Sequence, residues 1–341
     1  MSIDNLEQIA QAMVAPGKGI IAVDESTSTI KKRLEAVGLE NNEENRRAYR
    51  ELLLTAPGLG QYISGAILFD ETIRQKTGDG RSMVEAMEAA GIIPGIKVDK
   101  GTHPLAGFPD EVVTEGLDGL RERLQEYAKL GAKFAKWRAV IKITDGTPTS
   151  AAVEANVHAL ARYASLCQEA GIVPMVEPEI LMDDKESVHD IDTSYTVHEE
   201  VLRALFGQLA LFNVNLRGLI LKVSMVIPGK YAPAEEQVDV EDVAQATVDV
   251  FQNAVPASVA GIVFLSGGQS DEQATAHLDA INKLGPHPWP ISFSYGRALV
   301  SKALDVWSKD QKANWKAGQE TVVERAKENS DAAKGNWKKR A

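Results

Sequence analysis

The sequence predicts an α/β fold: a single closed (β/α)8 TIM barrel with an extra helix in front and a polar segment behind. Three observations lead there. Short apolar runs alternate with amphipathic helical patterns from one end of the chain to the other, the rhythm of β/α units around a parallel sheet. Eight such runs occur, the number that closes a barrel. The first run also lacks the Gly-x-Gly-x-x-Gly turn that opens a dinucleotide-binding open sheet.

Taken in order, strands are expected over 19–24, 62–69, 92–98, 134–140, 172–179, 219–226, 261–266 and 289–295. The intervening helices are legible. Leu117, Leu120, Leu124, Tyr127 and Leu130 step at three or four residues, and Gly131 supplies a C-terminal stop. Ser270 and Gln273 form a capping box ahead of Leu278, Ile281 and Leu284. Cys167 falls in phase with Val153, Val157, Leu160 and Ala164, which reads as core packing rather than a reactive thiol. Residues 1–16 form a leading helix. Residues 308–341 stand outside the β/α rhythm, with a helix expected over 309–328 and a mobile end. The chain reads as one domain with its core at about 17–307.

Composition narrows the function. A hydrophobic share of 44% and a charged share of 25% are ordinary for a soluble globular enzyme. A net charge of −11 without a basic stripe argues against a nucleic-acid partner. An anionic substrate would then need a local cationic pocket. The single cysteine excludes an intramolecular disulfide and fits a reducing compartment. No apolar stretch is long enough to span a membrane, and the first residues lack the basic-then-apolar order of a signal peptide. The expectation is a cytoplasmic protein with no membrane partner. The six histidines include no His-x-His or His-x-x-x-His pair, so no metal site is expected.

The residue that demands an explanation is Lys222, inside the apolar run Leu219-Ile220-Leu221-Lys222-Val223-Ser224-Met225-Val226. Lysine is almost never fully buried unless it is paired or chemically engaged. Burial favours the neutral amine, the form that attacks carbonyl carbons to give Schiff bases. A structural lysine neutralised by a carboxylate is the alternative.

The C-terminal strand ends of a barrel build its active site, and the unusual residues collect there. Asp24 ends the first strand and Lys97 the third. Lys136 and Arg138 share one face of the fourth, Glu177 and Glu179 one face of the fifth, because alternate residues point the same way. Ser266 ends the seventh and Arg297 follows the eighth. So many charges would be costly if stability were their only role, although a structural salt-bridge network is the competing reading. Ser266-Gly267-Gly268 and Gly296-Arg297 precede expected helices, where exposed backbone N–H groups bind phosphate. Trp137, on the strand face opposite Lys136, reads as packing.

Seven segments in order carry a resemblance over nearly the whole length. They are Ala22-Val23-Asp24-Glu25-Ser26-Thr27, Glu43-Glu44-Asn45-Arg46-Arg47, Gly95-Ile96-Lys97-Val98-Asp99-Lys100-Gly101, Phe134-Ala135-Lys136-Trp137-Arg138, Val176-Glu177-Pro178-Glu179-Ile180-Leu181, Phe264-Leu265-Ser266-Gly267-Gly268-Gln269 and Phe293-Ser294-Tyr295-Gly296-Arg297-Ala298-Leu299. The chain closely resembles the class I, Schiff-base fructose-1,6-bisphosphate aldolases. That resemblance implies an eight-stranded β/α barrel, usually a homotetramer, acting on phosphorylated sugars in glycolysis and gluconeogenesis without metal or cofactor. It makes Lys222 the imine-forming lysine, Glu177 the acid/base that dehydrates the carbinolamine, and Asp24 the group controlling the C4 hydroxyl proton. Lys136 would handle charge beside the nucleophile, with Glu179 a further catalytic carboxylate and Arg138 among the substrate- and phosphate-binding residues. Ser266, Gly267, Gly296 and Arg297 correspond to the C1-phosphate site, and Ser26, Arg33 and Lys97 to positions near the other phosphate.

The chain departs from the better-known animal enzymes in several places. Val223-Ser224 follows the lysine where those enzymes have Pro-Asn, and Thr29 stands where serine is common. The loop 182–192 is longer and more charged, and the sequence ends in Arg340-Ala341 rather than tyrosine. Two alternatives stand beside the main reading: the same chemistry on fructose 1-phosphate or sedoheptulose 1,7-bisphosphate, and a non-catalytic scaffold. A metal-dependent aldolase would need a histidine cluster that the sequence lacks.

Overall fold

The computed structural model describes residues 3–339. Eight parallel strands close into a barrel: β1 (Gly19–Ala22), β2 (Ile63–Leu68), β3 (Ile93–Lys97), β6 (Phe134–Ile141), β7 (Val173–Ile180), β8 (Ile220–Val223), β9 (Gly261–Phe264) and β10 (Ile291–Tyr295). Each matches an expected strand: six are trimmed by one to three residues at an end, while β6 and β7 each run one residue past the expected C-terminal end. A short antiparallel pair, β4 (Thr102–Pro104) and β5 (Val112–Thr114), lies outside the barrel and was not expected. Its three-residue strands are too short to leave a period-two pattern.

Strand alternation decides what fills the barrel. The inward face carries Ile20 and Ala22 on β1, Ile67 on β2, Phe134 on β6, Val173 and Met175 on β7, Ile220 on β8 and Val263 on β9, one continuous apolar cluster. Leu6, Ala10, Met13 and Val14 join that cluster, so the leading helix (Ile3–Met13) and the turn after it plug the lower end. Two glycines make room for large rings. A Cβ on Gly95 would lie 2.1 Å from the Phe134 ring, and one on Gly19 would lie 2.4 Å from Phe293. Burying a phenylalanine this way contributes about 1.5–3 kcal/mol. The outward strand faces meet the helices in a second, larger cluster that includes Cys167, Leu160, Val157, Val153 and Ala164, as the helical phase predicts.

The Ser270–Gln273 capping box forms, opening the helix Asp271–Lys283. The C-terminal segment carries the expected helix, shifted a few residues toward the C-terminus. Its helix runs over Trp315–Ala332, and Gly318, Val322, Ala326 and Asn329 are buried along one face. Arg325 donates to the Ala298 and Asp271 carbonyls and to Thr275 Oγ1, tying this helix to two others. Beyond it, the Trp337 N–H donates to Asp279 at 2.8 Å, and Lys339 pairs with Glu272. Charged composition hid the buried stripe of this helix, because many of its buried positions are Gly, Ala, Ser or Asn rather than large aliphatics. Arg340 and Ala341 lie outside the described residues.

Candidate active site

The inward face that is apolar at the bottom of the barrel becomes charged at the top. One step of alternation beyond Ala22 lies Asp24; beyond Phe134 lie Lys136 and Arg138; beyond Met175 lie Glu177 and Glu179; beyond Ile220 lies Lys222. Parallel pairing of β6 with β7 sets Arg138 opposite Glu177 and Val140 opposite Glu179, so these side chains arrive at the same height.

Four of them form one contact chain. Lys222 Nζ lies 2.9 Å from Glu177 Oε1, and Lys136 Nζ lies 2.9 Å from Glu177 Oε2. Lys136 Nζ also donates to Asp24 Oδ2 at 3.0 Å. Lys222 is only 4% exposed and Glu177 2%. Burial alone would drive Lys136, Asp24 and Glu177 neutral, but the opposite charges around them win. Burial opposes the Lys136 ammonium, yet Asp24, Glu177 and Asp99 outweigh it and hold its pKa above the ordinary lysine range. Burial likewise opposes the Asp24 carboxylate, but Lys136, Lys222 and Lys97 push its pKa well below the carboxylate range. Glu177 is also held low, burial being outweighed by Lys136, Lys222 and Arg138. A buried ion set of this kind is no more stabilising than apolar residues of the same volume. Its retention points to chemistry.

The remaining expected residues surround this centre. Arg138 pairs with Glu179, and a Cβ on Gly267 would lie 3.4 Å from Glu179 Oε1, which puts the loop after β9 against that pair. Ser26 caps the helix Thr27–Ala36. Together with Lys97, Lys100 and Arg138 it lines a cleft of about 710 Å³. Arg33 does not line that cleft. It pairs with Glu25, and its Nη2 comes within 4.0 Å of a Cβ built on Gly296. Gly296 caps the helix Arg297–Ser308, so the first N–H groups of that helix face the barrel mouth. Ser266 and Gly267 sit further from a helix start than the sequence suggests, since Ser270 is the cap of the helix that follows. Arg297 donates to Asp183 at 2.8 Å.

Sequence reasoning passed over three participants. Asp99 contacts Lys97 at 3.5 Å and accepts the Arg138 N–H at 3.3 Å; extending the alternation Gly95, Lys97 by one step would have found it. Arg50, fully buried, donates to the Glu25 carbonyl at 2.8 Å and pairs with Glu71 at 3.4 Å. Its place beside Tyr49, Leu53 and Leu54 on a buried helix face was the available signal. Asp183 had none, because loop contacts leave no periodicity.

Comparison with known proteins accords with this geometry. The model of the glycolytic family described as fructose-bisphosphate aldolase class-I matches residues 5–341. The chain belongs to the class I fructose-bisphosphate aldolase family. It is 64% identical over 338 residues to a probable fructose-bisphosphate aldolase class 1 of Xanthomonas axonopodis pv. citri, covering 99% of this chain and all of that one. It is 50% identical to the cytosolic fructose-bisphosphate aldolase 4 of Arabidopsis thaliana, covering 98% of this chain and 85% of the relative. The fold matches the fructose-bisphosphate aldolase of Plasmodium falciparum, solved with TRAP and a small-molecule inhibitor, at a TM-score of 0.95. That pair is 46% identical and covers 98% of this chain and 96% of the other. Membership in this family makes the chain a lyase, and the resemblance carried by the seven segments is matched by a family model over nearly the whole chain.

Proposed function

We propose that this aldolase cleaves fructose 1,6-bisphosphate reversibly to dihydroxyacetone phosphate and glyceraldehyde 3-phosphate through a Schiff base on Lys222. The observation that carries this reading is the buried contact of Lys222 with Glu177, whose other oxygen is engaged by Lys136. Lys222 passes a proton to Glu177 across that contact and attacks the C2 carbonyl as an amine. The carbinolamine hydroxyl leaves as water with the proton from Glu177, and the C2=Nζ iminium forms.

Asp24 then takes the C4 hydroxyl proton. The electron pair of the C3–C4 bond moves onto C3 and into the iminium, giving an enamine, and the aldehyde half departs. A proton added at C3 balances the one removed, and water releases dihydroxyacetone phosphate. Lys222 is one of the cations that hold Asp24 ionised. As the iminium charge is quenched, that cation vanishes, so Asp24 becomes a better proton acceptor in step with bond cleavage. Lys136 stays charged throughout as the counter-ion of Glu177 and Asp24.

For the phosphates, Gly296, Arg297, Ser266 and Gly267 suit the C1 group, with helix N–H donors beside a guanidinium. Ser26, Lys97 and Arg138 suit the C6 group, with Arg33 bracing the mouth through Glu25 and Gly296. The chemistry uses side chains alone. A homotetramer in the cytoplasm completes the reading; among the described residues no helix is long and apolar enough to cross a membrane.

Borohydride reduction in the presence of dihydroxyacetone phosphate should trap an adduct on Lys222. Lys222→Met should keep the fold and lose turnover. Mapping the adduct to another lysine would remove Lys222 from the mechanism, and a panel of ketose phosphates would rank the competing substrates.

A further inference from the structure

The phosphate role given to Arg297 leaves one contact unexplained: its guanidinium already holds an anion. Arg297 Nη2 donates to Asp183 Oδ2 at 2.8 Å, across the barrel mouth from the loop that follows β7. Asp183 is held in place from both sides. Met182, 1% exposed, accepts the Lys230 N–H through its carbonyl at 2.9 Å, and its sulfur lies 3.3 Å from His189 Nε2. Asp184 pairs with Lys142 at 3.1 Å.

This loop also abuts the glycine loop after β9. Gly268 has φ +78°, and a Cβ there would lie 2.6 Å from Met182 Cβ. The carboxylate therefore stands at the place where the two candidate phosphate-binding loops meet.

We propose that Asp183 is a built-in competitor for the substrate phosphate at Arg297. With the site empty, the carboxylate satisfies the guanidinium. An incoming phosphate dianion has to take over those N–H donors against the repulsion of Asp183, so the aspartate weakens phosphate binding and hastens its release. The Asp183 side chain is 27% exposed and that of Arg297 57%. Solvent screening therefore keeps the effect modest, in the range that tunes affinity rather than abolishing it. This inference rests on the reading of Arg297 as a phosphate ligand.

The test is a double-mutant cycle on the full chain, with inorganic phosphate and dihydroxyacetone phosphate as probes. Asp183→Asn should tighten both about two- to fivefold, with less gain as salt is raised. It should lower KM for fructose 1,6-bisphosphate more than it alters kcat. The gain should vanish in the Arg297→Ala background, and Asp183→Glu should behave like the parent. Unchanged or weaker phosphate binding in Asp183→Asn, or a gain that persists without Arg297, overturns the proposal. Arg297→Ala that binds phosphate as tightly as the parent overturns the phosphate role of Arg297 itself, a separate and distinguishable result.

Discussion

Lys222 and Lys136 grip opposite oxygens of one buried carboxylate, each nitrogen 2.9 Å from Glu177. Two cations on one anion leave the cluster dependent on Asp24 for balance, and Asp24 supplies it through Lys136. Proton traffic at the nucleophile is therefore coupled to the group that acts on the C4 hydroxyl.

Glu177→Gln should lower kcat by about 10²–10⁴-fold while KM changes little, since the lost group moves protons in the transition state. The same variant leaves two buried lysines facing an amide, so its thermal midpoint should also fall. Steady-state kinetics and a melting curve check both. Normal turnover in a folded Glu177→Gln enzyme would take Glu177 out of the reaction.

Asp24→Asn should reduce kcat on a similar scale but permit the first half of the cycle, because Schiff-base formation with dihydroxyacetone phosphate needs no C4 proton. Borohydride trapping at near-parent yield, with cleavage of fructose 1,6-bisphosphate suppressed, is the expected pattern. Loss of trapping together with cleavage would place Asp24 in imine formation instead.

Acid should destabilise the fold before it protonates the site carboxylates. Burial pushes the pKa of His198 and of His277 down to about 4, against about 6.5 in an unfolded chain. Between those values the unfolded chain binds protons that the native state refuses. Unfolding free energy therefore falls as pH drops from about 6.5 to 4, by up to about 3 kcal/mol per histidine, with no further loss from these two below that window. Urea midpoints at a series of pH values measure it, and His277→Gln should flatten the slope. An unaltered slope would assign the acid sensitivity elsewhere.

Removing residues 336–341 should cost stability more than turnover. The Trp337 N–H bond to Asp279 and the Lys339 pair with Glu272 both run along the outside of the helix Asp271–Lys283, and Trp337 packs against the outer core. A melting point lower by a few degrees with kcat within about threefold is the expected result. A tenfold or greater loss of kcat in a folded truncation, about 1.4 kcal/mol, would mean that this segment acts at the mouth.

The barrel and its charged centre were legible because both follow from one period. Lys222 stood out as a lone charge in an apolar strand, and Lys136, Arg138, Glu177 and Glu179 were paired by alternation alone. What stayed hidden lacks a period or an apolar signature. Asp183 meets Arg297 through loop conformation, Arg33 pairs with Glu25 from a helix whose pattern does not mark that contact, and the buried face of the Trp315–Ala332 helix is made largely of small and polar residues that read as surface.

The shared inward face has a consequence for how this protein fails. Met175 and Glu177 share one face of β7, and Ile220 and Lys222 one face of β8, so the same hydrogen-bond ladder that seats the apolar layers also seats two of the reacting groups; Asp24 lies two residues beyond the end of β1. A strand displaced by one residue would turn its aliphatics out and its charges away together. Such an error gives a barrel that cannot close, rather than a closed barrel with a misaligned centre. Specific activity should then report the folded fraction directly: molecules are either whole enzymes or none.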